Sequence, residues 1–342
     1  MRILIYSRAF LPQIGGLELS VAHVAEQFVL YGHEVVVITT TPGNGSGGLP
    51  YQVLRHADAF TFMRWMRWCD VFHHANVSLR GLWPMLFFPR PLVVTNHSWI
   101  CRTDGRVAWQ DRLKRFLLRY AAGSISVSKA MADDISSPSV VIGNAYRDKL
   151  FRKLPDVARD EDLVFLGRLV SDKGVDVLLA ALAILAAQGH APRLTVVGEG
   201  SERPALEEQA RRLGLLGQVS FVGSKSGEEL VRLLNRHRIL VAPSRYNEPF
   251  GIVALEGIAC GCVVVGSRGG GLKEAIGPCG KLFENGNPAE LALVIASLLH
   301  DPGAIAECLR NAPAHLAAHT AERVMRRYLE VFESAARKGR QR

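Results

Sequence analysis

The stretch VAPSRYNEPFGIVALEGIACGCVVVGSRGGG, residues 241–271, predicts the fold of the chain. A short apolar run ends at Ala242, a polar loop follows, and the pattern then predicts a helix from Ile252 to Ala259. A second apolar run, Cys262–Val265, leads into a glycine loop. Strand, loop, helix, strand and loop in this order form one unit of a doubly wound parallel sheet. Such sheets bind ligands beyond the carboxyl ends of their strands.

Two carboxylates flank the predicted start of that helix. Glu248 lies in the loop after the first strand, and Glu256 lies inside the helix. Between them, the first backbone N–H groups of the helix, near Phe250 and Gly251, favour an anion. Carboxylates accept hydrogen bonds from hydroxyls, whereas backbone donors bind phosphate oxygens. The pattern therefore indicates a ligand that carries both hydroxyls and phosphates.

This stretch resembles the signature of family 4 of the retaining nucleotide-sugar glycosyltransferases, in which seven residues separate two glutamates. The matching residues are Pro243-Ser244, Glu248 to Gly251 and Leu255-Glu256. Gly257 stands where the family usually has alanine, and Cys262 lies near its usual proline. The resemblance implies an α/β protein of the GT-B fold, with two Rossmann-like doubly wound parallel-sheet domains facing across a cleft.

A second phrase of the same family occurs in LVFLGRLVSDKG, residues 163–174. It places Arg168 at the end of a predicted strand and Lys173 at the start of a predicted helix, Val175–Gln188. Two cations there, together with the helix dipole, can neutralise a diphosphate. The next predicted strand ends in Gly198-Glu199-Gly200, which resembles the family's glycine turn beside the nucleotide.

In the first half of the chain the resemblance depends on fewer residues. Gly15-Gly16 follows the first predicted strand and opens a helix, where backbone can approach a phosphate. His97 follows a buried strand, in a loop where the family has a histidine that faces the donor sugar. His73 and His74 also end a predicted strand. For these two, a core position and a functional position both stay open.

The matches predict four segments. Residues 1–146 form an acceptor-binding Rossmann-like domain, and residues 147–162 form a linker. Residues 163–318 form the nucleotide-sugar-binding Rossmann-like domain. Residues 319–342 form a C-terminal helix that crosses back to the first domain and ends in a basic tail, which includes Arg340 and Arg342.

The resemblance implies a role for each matched side chain. Arg168 and Lys173 hold the diphosphate and stabilise it as it leaves, Glu256 accepts hydrogen bonds from the ribose, and Glu248 holds the transferred sugar. His97 contacts and orients that sugar, so the predicted catalytic residues are His97, Glu248, Arg168 and Lys173. The predicted donor-binding residues are Arg168, Lys173, Glu248 and Glu256 together with Gly15, Gly16, Gly198, Gly200, Phe250 and Gly251.

No metal and no other cofactor is expected, because the two cations supply the charge that a divalent ion would bring. The acidic triplet Asp160-Glu161-Asp162 precedes a predicted strand, so we interpret it as a solvated patch. The implied enzyme is a retaining glycosyltransferase of the hexosyltransferase class. It moves a sugar from a nucleotide-diphosphate donor to the hydroxyl of a glycan, glycolipid or small-molecule acceptor. The expected setting is cell-surface glycan, glycolipid or natural-product biosynthesis.

Three alternatives belong to other classes: a nucleotide-sugar epimerase of the same fold, a Rossmann dehydrogenase and a nucleic-acid binder. A GxGxxG string does occur at Gly43 to Gly48, but it follows the second predicted strand and runs into Leu49-Pro50. A dinucleotide fingerprint needs a helix there, so we predict a loop. Only charge suggests nucleic acid, so no nucleic-acid partner is expected.

The composition suits two globular α/β domains: 342 residues, of which 48% are hydrophobic and 21% charged. The sequence has no apolar run of about 18 residues. The N-terminus lacks a signal-peptide layout. Six scattered cysteines without a CxxC pair indicate a reduced, cytoplasmic protein.

The charge pattern raises the question of a membrane. The net charge is +9, and residues 1–146 carry 14 Lys and Arg against 9 Asp and Glu. Two aromatic and basic segments, Phe62–Trp68 and Trp109–Tyr120, lie in this half. Basic amphipathic helices with Trp and Phe bind membrane interfaces. An anionic inner membrane surface is therefore a candidate partner, and the alternative is that both segments bury their apolar faces in an ordinary core.

Overall fold

The computed structural model describes residues 1–13, 15–101, 107–135 and 137–340. They form two compact units. The first unit contains Met1–Asn144 together with the C-terminal segment from Ala321, and the second is Ala145–Thr320. The boundary after Asn144 lies close to the predicted one at residue 146. Arg342, in the predicted basic tail, lies outside the described residues.

The first unit is built on a seven-stranded sheet in the order β3-β2-β1-β4-β5-β6-β7, with every neighbouring pair parallel. Its strands are β1 Arg2–Ser7, β2 Glu34–Thr39, β3 Gln52–Arg55, β4 Val71–Ala75, β5 Leu92–Asn96, β6 Gly123–Ser126 and β7 Val140–Val141. Its helices are α1 Gly16–Leu30, α2 Ala59–Trp68, α3 Leu79–Leu82, α4 Trp109–Leu118 and α5 Lys129–Asp134.

Apolar strands and specific helix caps account for these elements. Strands such as β2, with four consecutive Val and Ile residues, are buried on both faces, as in other parallel sheets covered by helices. Asp58 begins α2 by accepting a hydrogen bond from the Thr61 N–H at 2.7 Å, and Ser128 begins α5 through the Met131 N–H. The prediction that the GxGxxG string forms a loop is confirmed. Its glycines all have positive φ there: Gly43, Gly45, Gly47 and Gly48.

One apolar segment of this unit changes its type of helix along its length. The apolar segment from Leu79 to Phe88 is α-helical only as far as Leu82, and a 3₁₀ turn, Trp83–Leu86, follows. Pro84 explains the change, because proline has no N–H to donate and its ring collides with the preceding helical turn.

The second unit contains a six-stranded parallel sheet in the order β10-β9-β8-β11-β12-β13. Its strands are β8 Glu161–Leu166, β9 Leu194–Val197, β10 Val219–Phe221, β11 His237–Ala242, β12 Val263–Ser267 and β13 Gly280–Phe283. Its helices are α6 Val175–Ala187, α7 Arg203–Arg212, α8 Gly227–Arg236, α9 Ile252–Ala259, α10 Leu272–Ile276, α11 Pro288–His300, α12 Pro302–Leu309 and α13 Ala312–Ala317. The helix predicted for Ile252–Ala259 is confirmed.

The last helix, α14 Ala321–Arg340, belongs to the first unit. It packs on the first sheet through Tyr328 and Phe332, which are both buried. The Phe332 ring lies 4.7 Å from that of Phe28 and 5.2 Å from that of His73. Within the described residues, α14 begins two residues after the predicted start at residue 319, and its amphipathic pattern continues through Arg340.

Two further expectations concern cysteines and membranes. All six cysteines lie in the described part of the chain and are free thiols. Among the described residues, no single helix is long and apolar enough to cross a membrane. The pair Pro288–His300 and Pro302–Ala317, bent by 97°, passes that test together by length and composition alone.

Candidate active site

In the second unit, the residues predicted to bind the donor follow neighbouring strands at one edge of the sheet. Arg168 follows β8, Gly198 follows β9 and Glu248 follows β11. These strands are parallel and adjacent in the sheet, so their carboxyl ends meet at one edge. The topology therefore gathers residues that lie far apart in the sequence.

Lys173 and Glu248, two of the predicted catalytic residues, are in direct contact. The Lys173 ammonium lies 2.5 Å from Glu248 Oε1, and Ser244 Oγ donates to the same oxygen at 2.7 Å. Both charged side chains are largely shielded from solvent. A carboxylate that accepts two short bonds in such a setting has a fixed position.

Backbone contacts explain why these two side chains meet. The 3₁₀ turn Ser171–Lys173 precedes α6, and the Arg245 N–H donates to the Asp172 carbonyl at 2.9 Å. Gly174 has φ +67, and a Cβ there would lie 2.0 Å from the Pro243 carbonyl oxygen. Only glycine permits this conformation and this approach, so the loop that carries Lys173 packs against the loop that leads to Glu248.

Arg168 differs from Lys173 because its side chain is exposed. Within residues 1–13, 15–101, 107–135 and 137–340, no carboxylate pairs with its guanidinium. Behind it, a Cβ on Gly198 would lie 1.8 Å from the Gly167 carbonyl, and one on Gly200 would lie 2.2 Å from that of Leu169. The glycine turn after β9 thus supports the backbone on both sides of Arg168.

Glu248 is also held from the side of β12. Its backbone carbonyl accepts the Gly271 N–H at 2.7 Å, and it forms an isolated bridge with Gly270. Asn285 connects these loops, since its Oδ1 accepts the Gly269 N–H at 2.9 Å and its Nδ2 donates to the Ser244 carbonyl at 3.2 Å. The sequence reasoning did not identify Ser244 or Asn285 as functional, and no spacing pattern marks Asn285.

Glu256 lies in α9, where burial raises the pKa of its carboxyl to about 7, and the Arg147 charge opposes this rise. Gly251 is the N-cap of α9, with φ +108. Phe250, just before it, is 3% exposed, and its ring lies 5.5 Å from that of His319. Because the Phe250 ring is in the core, its side chain is not available to contact a ligand.

His97 of the first unit follows β5 and is 9% exposed. Burial lowers the pKa of its imidazole to about 4, so the ring is neutral at pH 7. Asn76, which the sequence reasoning missed, accepts the His97 N–H at 2.6 Å and the Ser98 N–H at 3.1 Å through Oδ1.

Gly15 and Gly16 lie at the start of α1, with Gly15 as the N-cap. A Cβ on Gly15 would lie 2.4 Å from Glu18 Oε2, whereas a Cβ on Gly16 would meet nothing within 4 Å. The Glu18 carboxylate therefore already occupies the first turn of the helix. A phosphate bound there would have to share that turn with a negative charge.

His73 and His74 are core residues of β4. His73 Nε2 lies 2.9 Å from Thr95 Oγ1, and His74 Nδ1 lies 2.9 Å from the Asn76 carbonyl oxygen. Both imidazoles are fully buried, and their pKa values are lowered to about 3 and about 4 by desolvation. Of the two interpretations that the sequence left open for these histidines, the structure supports the core position.

The described part of the chain contains no group of three or more His, Cys, Asp or Glu side chains that could hold a metal ion. In the acidic triplet, Asp160 lies 3.5 Å from Arg236, and Asp162 lies 3.8 Å from Arg238. The triplet stands at the amino end of β8, opposite the edge that carries Arg168.

Comparisons with known proteins agree with this architecture. The model of Glycosyltransferase Family 4 matches residues 14–145, and that of Glycosyl transferases group 1 matches residues 146–315. Glycogen synthase of Mycobacterium tuberculosis is 30% identical over 376 aligned residues, which cover 92% of this chain and 90% of that protein.

Two solved structures show the same fold. Anabaena HepE in complex with UDP and glucose has a TM-score of 0.81 at 22% identity, covering 97% of this chain and 99% of the other. Sucrose-phosphate synthase of Thermosynechococcus elongatus has a TM-score of 0.81 at 20% identity, and the match covers 97% of this chain and 98% of the other. Both matched models are of glycosyltransferases, so the alternatives of a dehydrogenase and a nucleic-acid binder lose their support. The chain belongs to family 4 of the glycosyltransferases, has their GT-B fold and is a glycosyltransferase.

Proposed function

We propose that this enzyme transfers a sugar from a nucleoside-diphosphate donor to an acceptor hydroxyl, with retention of the anomeric configuration. The observation that carries the proposal is the arrangement of Arg168, Lys173 and Glu248 at one sheet edge of the second unit. An exposed guanidinium without a carboxylate partner among the described residues is ready for an anion. The UDP bound in HepE of Anabaena supports a nucleotide donor.

The contacts suggest how the donor is bound. In the structure, the Lys173 ammonium is paired with the Glu248 carboxylate. A diphosphate carries more negative charge than one carboxylate, so it competes for the Lys173 ammonium and joins it to Arg168. Glu248 is then available to accept hydrogen bonds from the sugar hydroxyls while Ser244 holds it.

The same groups can lower the barrier to transfer. Negative charge develops on the diphosphate as it leaves, and the two cations stabilise it more in the transition state than in the bound donor. These cations take the place of a divalent metal, so we propose that none is required. The acceptor hydroxyl attacks from the face that the diphosphate leaves, and no side chain becomes covalently bonded to the sugar.

We assign the remaining contacts by chemistry. Glu256 accepts hydrogen bonds from the ribose, and the start of α9 at Gly251 presents backbone donors near it. His97 is neutral, so its imidazole can both donate to and accept from sugar hydroxyls. A donor screen with UDP-, GDP- and dTDP-sugars, read by mass spectrometry for slow hydrolysis, identifies the donor. An NMR spectrum of the product that shows inversion at the anomeric carbon would refute retention.

For the acceptor, we propose a lipid-linked molecule at an anionic membrane surface on the cytoplasmic side. The supporting observation is the outer face of α4. Trp109, Leu113, Phe116 and Tyr120, the last just beyond the helix, are exposed by 70%, 37%, 48% and 70%. Their spacing of four, three and four residues puts them on one side of the helix.

The inner side of α4 combines Leu118, which is in the apolar core, with charged residues. Asp111 is buried and pairs with Lys114 at 2.8 Å, and Arg115 pairs with Asp134 at 2.7 Å. The aromatic side of α4 is nevertheless exposed, and the exposed cations Arg112 and Arg119 complement anionic lipid. In α2, by contrast, Phe62 and Met66 are in the core. For the Phe62–Trp68 segment the alternative expectation therefore applies, namely that its apolar face is buried in an ordinary core.

Sedimentation with vesicles tests this surface. We expect the protein to sediment with phosphatidylglycerol vesicles at low salt and to be released at high salt. Phe116→Ser should abolish sedimentation, whereas Phe60→Ser, which changes an exposed aromatic residue of α2, should not. Wild-type protein that stays in the supernatant with these vesicles at low salt would refute the surface and leave a soluble acceptor.

A further inference from the structure

Asn76 connects the ends of two neighbouring strands in the first unit. β4 and β5 are paired as far as Ala75 and Thr95, and Asn76 stands immediately after this last pair. Its side chain accepts the His97 N–H at 2.6 Å and the Ser98 N–H at 3.1 Å. Because both partners are donors, the atom that receives them is the amide oxygen.

The backbone of Asn76 is held as firmly as its side chain. Its N–H donates to the Thr95 carbonyl at 2.8 Å, and its carbonyl oxygen lies 2.9 Å from His74 Nδ1. Its φ of +66 is left-handed, a conformation that asparagine adopts more readily than most residues. This conformation lets one residue bond both the end of β5 and the loop that follows it.

The imidazole of His97 has no comparable support of its own. Within the described residues, no hydrogen-bond partner holds either ring nitrogen of His97. Its ring is buried and neutral, so no ion pair orients it. The direction of the ring therefore depends on the backbone at His97, and Asn76 is the side chain that fixes that backbone.

We propose that Asn76 is a positioning residue for His97, setting the loop after β5 so that the imidazole meets the transferred sugar in a reactive orientation. The inference rests on the proposed role of His97. Asn76 itself need not touch the donor. Misplacing a group at the reacting centre by about 1 Å can lower the rate about 100-fold, so the effect is measurable.

Substitutions at Asn76 separate backbone conformation from hydrogen bonding. Asn76→Gly keeps the left-handed conformation but removes the acceptor, and kcat should fall about 100-fold. Asn76→Asp keeps an acceptor of the same shape and should recover most of that loss. The affinity for free nucleoside diphosphate should stay within about twofold in both, because its proposed ligands lie in the second unit. The matched control is His56→Gly, since His56 also has a positive φ after a strand of this sheet, and its kcat should be unchanged.

A double-mutant cycle separates positioning from a general structural effect. If Asn76 acts through His97, Asn76→Gly should lower kcat by less than about twofold in a His97→Ala background. An equal loss in both backgrounds would overturn the inference, as would an Asn76→Gly enzyme that turns over normally. If Asn76→Gly fails to fold, Asn76→Ser carries the same test, because its hydroxyl is too short to reach both N–H groups.

The cycle also separates this inference from the proposed function. A His97→Ala enzyme with normal kcat would show that His97 has no role in transfer, and the positioning role would fall with it. A His97→Ala enzyme with reduced kcat beside a normal Asn76→Gly enzyme would refute the positioning role alone.

Discussion

The two units place their predicted site residues in different ways. In the second unit, Lys173 and Glu248 are 75 residues apart in sequence, yet their side chains are in contact. In the first unit, His97 is buried without a ring partner among the described residues, and Gly15 faces the Glu18 carboxylate. The difference follows from the backbone: in the second unit, glycines let loops pack directly against one another, whereas in the first a single asparagine side chain connects two loops.

The largest effect is expected where two loops of the second unit touch. Gly198→Ala should lower the free energy of unfolding by about 4 kcal/mol, because its Cβ would lie 1.8 Å from the Gly167 carbonyl at φ +142. Gly217→Ala, in the same unit, meets nothing within 4 Å and should change stability by less than about 0.5 kcal/mol. Urea unfolding measures both. Equal free energies of unfolding for Gly198→Ala and Gly217→Ala would show that the backbone contact at Gly198 does not restrain the loop.

The next effect separates the two carboxylates. Glu248→Gln should reduce kcat by about 100-fold or more, because a sugar contact is weakened in the transition state. Its affinity for free diphosphate should be unchanged or higher, since Lys173 no longer pairs with a carboxylate. Glu256→Gln should instead weaken binding of the free nucleotide. If the two variants behave alike in calorimetry and in turnover, the division of roles is wrong.

A smaller effect concerns pH. Burial raises the Glu256 pKa to about 7, so below that pH a proton must leave before the ionised carboxylate can bind ribose. Nucleotide affinity should therefore rise with pH up to about 8, by at most about tenfold per unit, and Glu256→Gln should flatten the profile. His97, with a pKa of about 4, should add no change above pH 6. A slope that persists in Glu256→Gln would assign the titration to another group.

The same shift has a consequence for stability. The folded protein holds the Glu256 proton more tightly than the unfolded chain does, because the folded pKa is raised. Its contribution to stability is therefore greatest below about pH 4.5 and is lost as pH rises through 7. In thermal unfolding, the stability of Glu256→Gln relative to the wild type should therefore increase between pH 5 and pH 8.

The sequence predicted most of the fold, because buried strands and capped helices leave periodic patterns. The helix Ile252–Ala259 was recovered in full, and the loop at Gly43 to Gly48 was recognised from its position after the second strand. Of the predicted site, the resemblance located the strand ends that carry Arg168 and Glu248. Only the structure shows which side-chain atoms are in contact there.

Other features could not be predicted. Asn76 and Asn285 connect loops through side-chain hydrogen bonds to backbone groups distant in sequence, and such bonds leave no periodic trace in the sequence. The exposed side of α4 was unpredictable for another reason. Periodicity shows that a helix is amphipathic, but the burial of Asp111 and the pairing of Arg115 with Asp134 arise only once the chain is folded.

The most direct test of the central claim is calorimetric titration of the enzyme with UDP, GDP and dTDP. We predict that wild-type protein binds at least one of them without added metal. Arg168→Ala and Lys173→Ala should each weaken that binding by about 10- to 100-fold, because a charged hydrogen bond contributes roughly 1.5–3 kcal/mol. Arg193→Ala, at the amino end of the same sheet, is the matched control and should bind normally. Unchanged affinity in both Arg168→Ala and Lys173→Ala, with normal binding by the wild type, would contradict the account.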